Sequence, residues 1–222
     1  MSSNLSVAEE NYIKAVFHLQ RPGSIVSTNE LAAELNTKAA SVTDMLKKLK
    51  QKKLLNYEPY KGFTLTADGR KVALGVVRRH RLWEYFLVEK LQFGWDEVHE
   101  VAEELEHVTS KKLIDKLDAY LDFPRFDPHG DPIPDANGRL ILQNHICLNE
   151  LAVNTVAQVS SVKDQSSELL ELLKHKNISI GSKIEVKRKF DFDNSLEVKV
   201  KNFAAPVNVS KQLAEVLYVQ PQ

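Results

Sequence analysis

Residues 27–66 restrict the fold more than any other part of the chain. The run "STNELAAELN" opens on Ser27 or Thr28, hydroxyl side chains suited to an N-cap, and continues with helical spacing of apolar residues. After a break at Asn36-Thr37, "KAASVTDMLKKLKQKKLL" resumes that spacing with Val42, Met45, Leu46 and Leu49. Two short helices joined by a tight turn, the second small and polar at its front, predict a helix-turn-helix. The following "LLNYEPYKGFTLTADGRKVA" reads as strand, turn around Pro59 to Gly62, strand Phe63 to Thr66, and a new helix. That hairpin is the wing of a winged helix. A preceding helix from Val7 to Gln20, stopped by Arg21-Pro22-Gly23, completes a head expected to span residues 1–75.

Beyond the head, a long helix is predicted from about Asp68 through "GRKVALGVVRRHRLWEYFLVEKL", broken at Phe93-Gly94. Asp96 is expected to cap "DEVHEVAEELEHV", and Ser110 to cap "KKLIDKLDAYLDF". The apolar faces of these helices, over residues 98–121, are available for pairing with a second copy. "FPRFDPHGDPIPDANGR" holds four prolines and two glycines and reads as ordered irregular chain or linker. Past it the pattern changes. "IEVKRKF", "LEVKVKNF" and "VLYVQP" alternate apolar and polar residues as half-buried strands do, with one short helix, "SSELLELLKHK", before them. The fold class is therefore mainly α with small β parts: a winged helix-turn-helix over 1–75, a helical metal-binding and dimerisation part over 76–142 whose last residues, 123–142, form the proline-rich linker, and a small β-barrel-like module over 143–222.

Formal charge sums to zero over the chain but is unevenly spread. Lys and Arg against Asp and Glu number 11 and 7 in residues 1–75 (+4), 9 and 14 in 76–146 (−5), and 10 and 9 in 147–222 (+1). A basic head suits a polyanion, and an acidic middle suits a cation. At 43% hydrophobic and 27% charged residues the composition excludes a disordered or collagen-like chain. No apolar run reaches the roughly 18 residues of a membrane span. The start, "MSSNLSVAEENYIK", lacks a secretory pattern, and the lone Cys147 cannot form an internal disulfide; both lead to an expected cytoplasmic location.

Between Thr37 and Lys53 six lysines (38, 47, 48, 50, 52, 53) face one acid, Asp44. The front of this helix, Thr37, Lys38, Ala39, Ala40, Ser41, Thr43 and Asp44, is small and polar enough to approach base edges. Lys47 and Lys48 behind it suit phosphates, and Lys61 at the wing tip suits a phosphate or the minor groove. A solvated basic face is the bland alternative for a bare lysine run; inside a helix-turn-helix with a wing, binding to double-stranded DNA is the stronger reading.

"HEVAEELEH" raises the second chemical question. On a helix His99, Glu103, Glu106 and His107 fall at i, i+4, i+7 and i+8, one face. "RRHRLWEY" likewise places His80 and Glu84 at i and i+4. A single such pair is usually a surface hydrogen bond, but two in successive helices of the acidic third point to a metal. With no Cys or Met in the cluster the ligands are hard to borderline, which suits octahedral Mn²⁺ or Fe²⁺ better than thiolate zinc. An enzyme would need more. There is no HExxH, no Gly-rich phosphate loop, no GxSxG and no nucleophile with a partnered base.

A winged helix followed by "RRHRLWEYFLVEKL" and "VHEVAEELEHVTS" resembles the DtxR/MntR family of metal-dependent transcriptional repressors. The resemblance extends through "FDPHGDPIP" to the C-terminal module, which looks like the SH3-like, FeoA-like domain of three-domain members. It implies a primary regulatory site from Glu103, Glu106 and His107, completed by Asn11 on the first helix. It implies a second site from Glu84, Asp127, His129 and Asp164, with His80 and His99 at ancillary positions. A carboxylate at Glu103 goes with manganese members and a cysteine there with iron members. Two departures stand out: Asn11 offers a neutral amide where the family usually has Asp or Met, and Lys14 stands where binuclear manganese members carry a second glutamate. The expectation is a homodimeric, Mn²⁺-activated repressor reading a palindromic operator, with Fe²⁺ as the alternative ion. A metal-buffering protein and a metalloenzyme are the rival readings.

Overall fold

The computed structural model describes residues 5–21, 23–58, 61–141, 144–203 and 205–222. Pro22, Pro59 at the start of the wing turn, and the expected junction at 142/143 lie outside the described residues. The chain divides into two compact units, one of residues 1–80, 105–115 and 134–139, the other of 81–104, 116–133 and 140–222.

In the first unit the head folds as α1 (Val7–Leu19), α2 (Thr28–Glu34), α3 (Ala39–Gln51), β1 (Leu55–Glu58) and β2 (Gly62–Leu65). Ser6 and Ser27 each close a capping box, with Glu9 and Glu30 at the third helical position, so both helix starts are fixed by local sequence. β1 and β2 pair antiparallel from Leu55↔Leu65 to Glu58↔Gly62. Val26 exchanges two 3.0 Å backbone hydrogen bonds with Phe63, which ties the segment before α2 to the wing. Gly62 permits this: its φ is +116°, and a Cβ there would lie 2.5 Å from the Val26 carbonyl oxygen. Ile13, Val16, Leu31, Val42, Leu46, Leu49 and Phe63 form the buried core beneath the recognition helix.

α4 (Ala67–Leu91) is the long helix the sequence predicts, and residues of both units lie on it. α5 (Val98–Leu105) and α6 (Lys111–Tyr120) follow. Ser110 caps α6 through the Leu113 amide, as expected. Asp96 does not cap α5: it lies in the preceding turn, where its carboxylate faces Lys174 at 3.4 Å.

The C-terminal module is a six-stranded antiparallel sheet of β3 (Ile146–Cys147), β4 (Val156–Val162), β5 (Lys183–Lys189), β6 (Leu196–Val200), β7 (Val207–Val209) and β8 (Leu217–Pro221), ordered β3-β8-β4-β5-β6-β7. α7 (Ser167–His175) and α8 (Lys211–Val216) complete its core, around Leu170, Leu173, Val186, Val198 and Leu213. Among the described residues, no helix is long and apolar enough to cross a membrane.

Candidate metal centres

The first centre is built on the end of α5 and the inner face of α1. α5 stops at Leu105, so Glu106 and His107 form the turn that follows it instead of continuing a helical stripe. Long-range contacts explain the stop. Arg79 donates through Nε to the Glu106 carbonyl, which a further helical turn would claim. The Glu106 side chain is fully buried, and Lys14 Nζ lies 2.6 Å from its Oε1 and 2.8 Å from its Oε2. His80 Nδ1 donates to Oε2 at 2.7 Å. Burial alone would push this carboxyl up, but His80 and Lys14 hold it below its ordinary value.

His107 donates from Nδ1 to Glu10 Oε2 at 2.7 Å, and Arg79 grips Glu10 Oε1 at 2.8 Å. The other ring nitrogen, Nε2, which carries the lone pair in the neutral ring, lies 3.6 Å from Glu106 Oε1. A carboxylate that orients an imidazole in this way is the usual support of a metal-ligating histidine. Asn11, on the same helix, has its side-chain oxygen buried with no hydrogen bond to it. Asn11, Glu106 and His107 are therefore placed in one unit as potential ligands. Glu103 falls in the other unit, exposed, with His99 Nε2 3.5 Å away.

The second centre lies in the second unit. Ligand atoms of Glu84, Asp127 and His129 all come within 4.8 Å of one another, and all three residues are buried. The proline-rich run is ordered irregular chain, as expected, and makes a compact turn here, with Phe126 and Pro132 bridged and the Asp127 amide bonded to the Asp131 carbonyl at 3.0 Å. Gly130, at φ +87°, presses against β4 where a Cβ would lie 1.9 Å from the Ser160 carbonyl oxygen. Arg81 braces the turn through the Pro132 carbonyl (2.6 Å) and the Asp131 carboxylate (3.0 Å).

Each ligand of this centre is aimed by its other half. Asp127 Oδ1 accepts from the His129 and Asp131 amides at 2.8 and 3.0 Å, which leaves Oδ2 buried with no hydrogen bond, 3.3 Å from the Arg81 Nε that pairs with it electrostatically. His129 Nε2 donates to the Trp95 carbonyl at 2.8 Å, so in the neutral ring Nδ1 carries the lone pair; it is buried 3.7 Å from Glu84 Oε2, and against its burial Glu84 and Asp127 push the imidazole up. Two carboxylates and an imidazole converge with lone pairs inward, and a cation fits that donor set. Their mutual repulsion is visible. Burial first, then Glu84 and Asp131, push the Asp127 carboxyl up to about 7. His99 meets the same helix, with Nδ1 3.2 Å from Glu84 Oε1; Glu103 and Glu84 outweigh its burial and push it up to about 9. Asp164, the expected last ligand, does not join: it is exposed and its Oδ1 accepts from the Ser166 amide.

Sequence reasoning missed Glu10, Arg79 and Arg81. A signal for the first existed in the acid pair Glu9-Glu10, which precedes Ile13 and Val16 on the buried stripe of α1. Glu9 is also buried. Its burial would raise the carboxyl, but Lys52 at 2.7 Å, the Ser6 amide and Lys48 at 3.2 Å bring it down to about 2.

The DNA-facing candidates lie together on α2–α3 and the wing. Thr37, Lys38, Ala39, Ala40, Ser41, Asp44, Lys47, Lys48 and Lys61 are exposed, and Thr43 is half-buried with its hydroxyl donated to the Ala39 carbonyl at 2.9 Å. Lys47 pairs with Asp44 at 3.2 Å.

The profile of the iron dependent repressor N-terminal DNA binding domain matches residues 4–63, that of the iron dependent repressor metal binding and dimerisation domain matches 66–135, and that of the FeoA domain matches 146–221. The chain belongs to the DtxR/MntR family of metal-dependent transcriptional repressors. Among its DtxR/MntR relatives, iron-dependent repressor IdeR of Mycobacterium leprae is 25% identical over 189 residues, 80% of this chain and 82% of that one. A solved manganese-dependent transcriptional repressor in complex with manganese is 33% identical and superposes with a TM-score of 0.87, covering 96% of this chain and all of the other. ScaR with bound Cd²⁺ is 30% identical, with a TM-score of 0.79 over 96% of this chain and 98% of that chain. A DtxR/MntR member of this layout is a regulator with a winged-helix head, a metal-binding and dimerisation part and a FeoA domain.

Proposed function

We propose that this protein is a cytoplasmic homodimeric repressor that Mn²⁺ activates to bind a palindromic operator. The observation that carries the reading is the buried convergence of Glu84, Asp127 and His129, all hard or borderline donors with no sulfur among them. The solved manganese-dependent repressor complex, similar over nearly the whole chain, supports the same ion. Asn11, Glu106 and His107 form the regulatory centre, with Glu103, three residues earlier in the chain, setting metal choice. Asn11 on α1 with Glu106 and His107 in the turn after α5 would hold the ion, whose divalent charge would tie these two parts of the head's unit together. It favours the DNA-competent state through its higher affinity for that state. The parts act as 1–75, 76–142 and 143–222, and two-fold pairing matches two recognition helices to two half-sites.

Two outcomes are expected. Lys47→Ala weakens binding about equally on all sequences, whereas Ser41→Ala or Thr43→Ala changes preference among them, because phosphate contacts carry no base information. Competition assays on a set of half-site variants separate the two; a uniform loss from all three substitutions counts against this orientation of α3. Glu103→Cys moves the response from Mn²⁺ toward Fe²⁺, Co²⁺ or Zn²⁺, since a thiolate strengthens binding of the softer ions and the lost oxygen weakens Mn²⁺. DNA-binding anisotropy titrated with each ion reads this out, and an unchanged order of ions removes Glu103 from the site.

A further inference from the structure

Lys14 holds the place of a cation on Glu106. Its ammonium contacts both carboxylate oxygens, at 2.6 and 2.8 Å, and the carboxylate is fully buried while the lysine is 14% exposed. Glu106 Oε1 is also the oxygen 3.6 Å from His107 Nε2, the nitrogen left with its lone pair once Nδ1 donates to Glu10. Asn11, with its orphaned buried oxygen, precedes Lys14 by three residues on the same helix, so both project from neighbouring positions on α1.

We infer that Lys14 is a tethered competitor for the metal and sets the concentration at which this repressor responds. The inference rests on the proposed regulatory role of Glu106 and His107. A divalent ion on Glu106 Oε1 would meet the ammonium at a distance where two cations repel strongly in a buried setting. Metal therefore enters by exchange: the ammonium leaves the carboxylate, and its flexible four-carbon stem lets it swing to water. Without metal, the same contact adds a full positive charge to the His80 hydrogen bond on a buried carboxylate. One residue thus stabilises the metal-free protein and weakens the metal-bound one.

The test uses the full-length protein carrying His129→Ala, which silences the second centre, and measures Mn²⁺ binding by calorimetry. Lys14→Gln is expected to bind Mn²⁺ at least about tenfold more tightly, and Lys14→Arg, which keeps the charge, to stay near the parent. Thermal unfolding gives an independent readout: Lys14→Gln melts lower than the parent without metal and recovers the difference at saturating Mn²⁺. Unchanged or weaker Mn²⁺ affinity in folded Lys14→Gln overturns the inference. Glu106→Gln in the same background separates the two levels. If Glu106→Gln leaves Mn²⁺ binding intact, the regulatory centre itself is misplaced. If it abolishes binding while Lys14→Gln fails to tighten it, only the competition is wrong.

Discussion

Asp127→Asn is expected to raise the melting temperature of the metal-free protein by several degrees above pH 7 and to remove most of the stabilisation that Mn²⁺ confers. In the folded chain burial, Glu84 and Asp131 push this carboxyl up to about 7 from an ordinary 3.8. A carboxyl whose pKa is raised in the folded state holds its proton longer there, so metal-free stability falls as pH rises from about 4 to about 7. The amide oxygen of asparagine still accepts from the His129 and Asp131 amides, so the turn keeps its shape. What is lost is the inward negative charge, together with the repulsion that a cation relieves. Thermal melts at pH 6 and pH 8, with and without Mn²⁺, check this. The parent should gain more from Mn²⁺ at pH 8 than at pH 6. A full metal-dependent gain in Asp127→Asn would show that the buried trio holds no ion.

The centre proposed at Glu106 and His107 should be less forgiving. Glu106→Gln and His107→Ala are each expected to reduce metal-activated DNA binding by at least about a hundredfold, beyond the 10–100-fold typical when only a supporting residue of a ligand is lost. Each removes a donor that any divalent ion would use, so no ion should rescue them. Glu10→Gln, which leaves His107 in place but weakens its orienting partner, should lose about tenfold. Circular dichroism establishes that the variants fold, and anisotropy with labelled operator DNA measures the losses. Rescue of His107→Ala by excess Mn²⁺ to parental affinity would put the centre elsewhere.

The head was legible because its signals are local. Ser27 with Glu30, the polar front of α3 and the apolar residues of the paired strands β1 and β2 each act over a few residues, and α4 runs almost as its apolar spacing predicts. The bend after α5 was not legible. Helical spacing carries on through "EELEH", but the Glu106 carbonyl and carboxylate are claimed by Arg79, His80 and Lys14, residues 26 to 92 positions away in sequence. His99 and Glu103 do share a helical face, while Glu106 and His107 reach their partners from a turn. The β-module was half legible. β6 and β8 alternate cleanly and β5 does so as far as Val186, where its pairing with β6 shifts register, whereas β4 carries a register shift between Val159 and Ser161 and a polar middle that hides its period. Of the four residues that family resemblance implies for the second candidate centre, Glu84, Asp127 and His129 converge and Asp164 does not. Why Asp127 and His129 point inward depends on Gly130 against β4 and on the Trp95 carbonyl, contacts that no spacing rule contains.

The most direct test of the whole account is a DNA-binding titration of the full-length protein at fixed salt, repeated with Mn²⁺, anaerobic Fe²⁺, Co²⁺, Zn²⁺ and no metal. Fixed salt matters because phosphate contacts make affinity steeply dependent on ionic strength. The account predicts weak binding without metal, and tight binding of a dimer to one palindromic fragment once Mn²⁺ is added. Equal affinity with and without every ion, or metal-activated binding by a monomer, would contradict it.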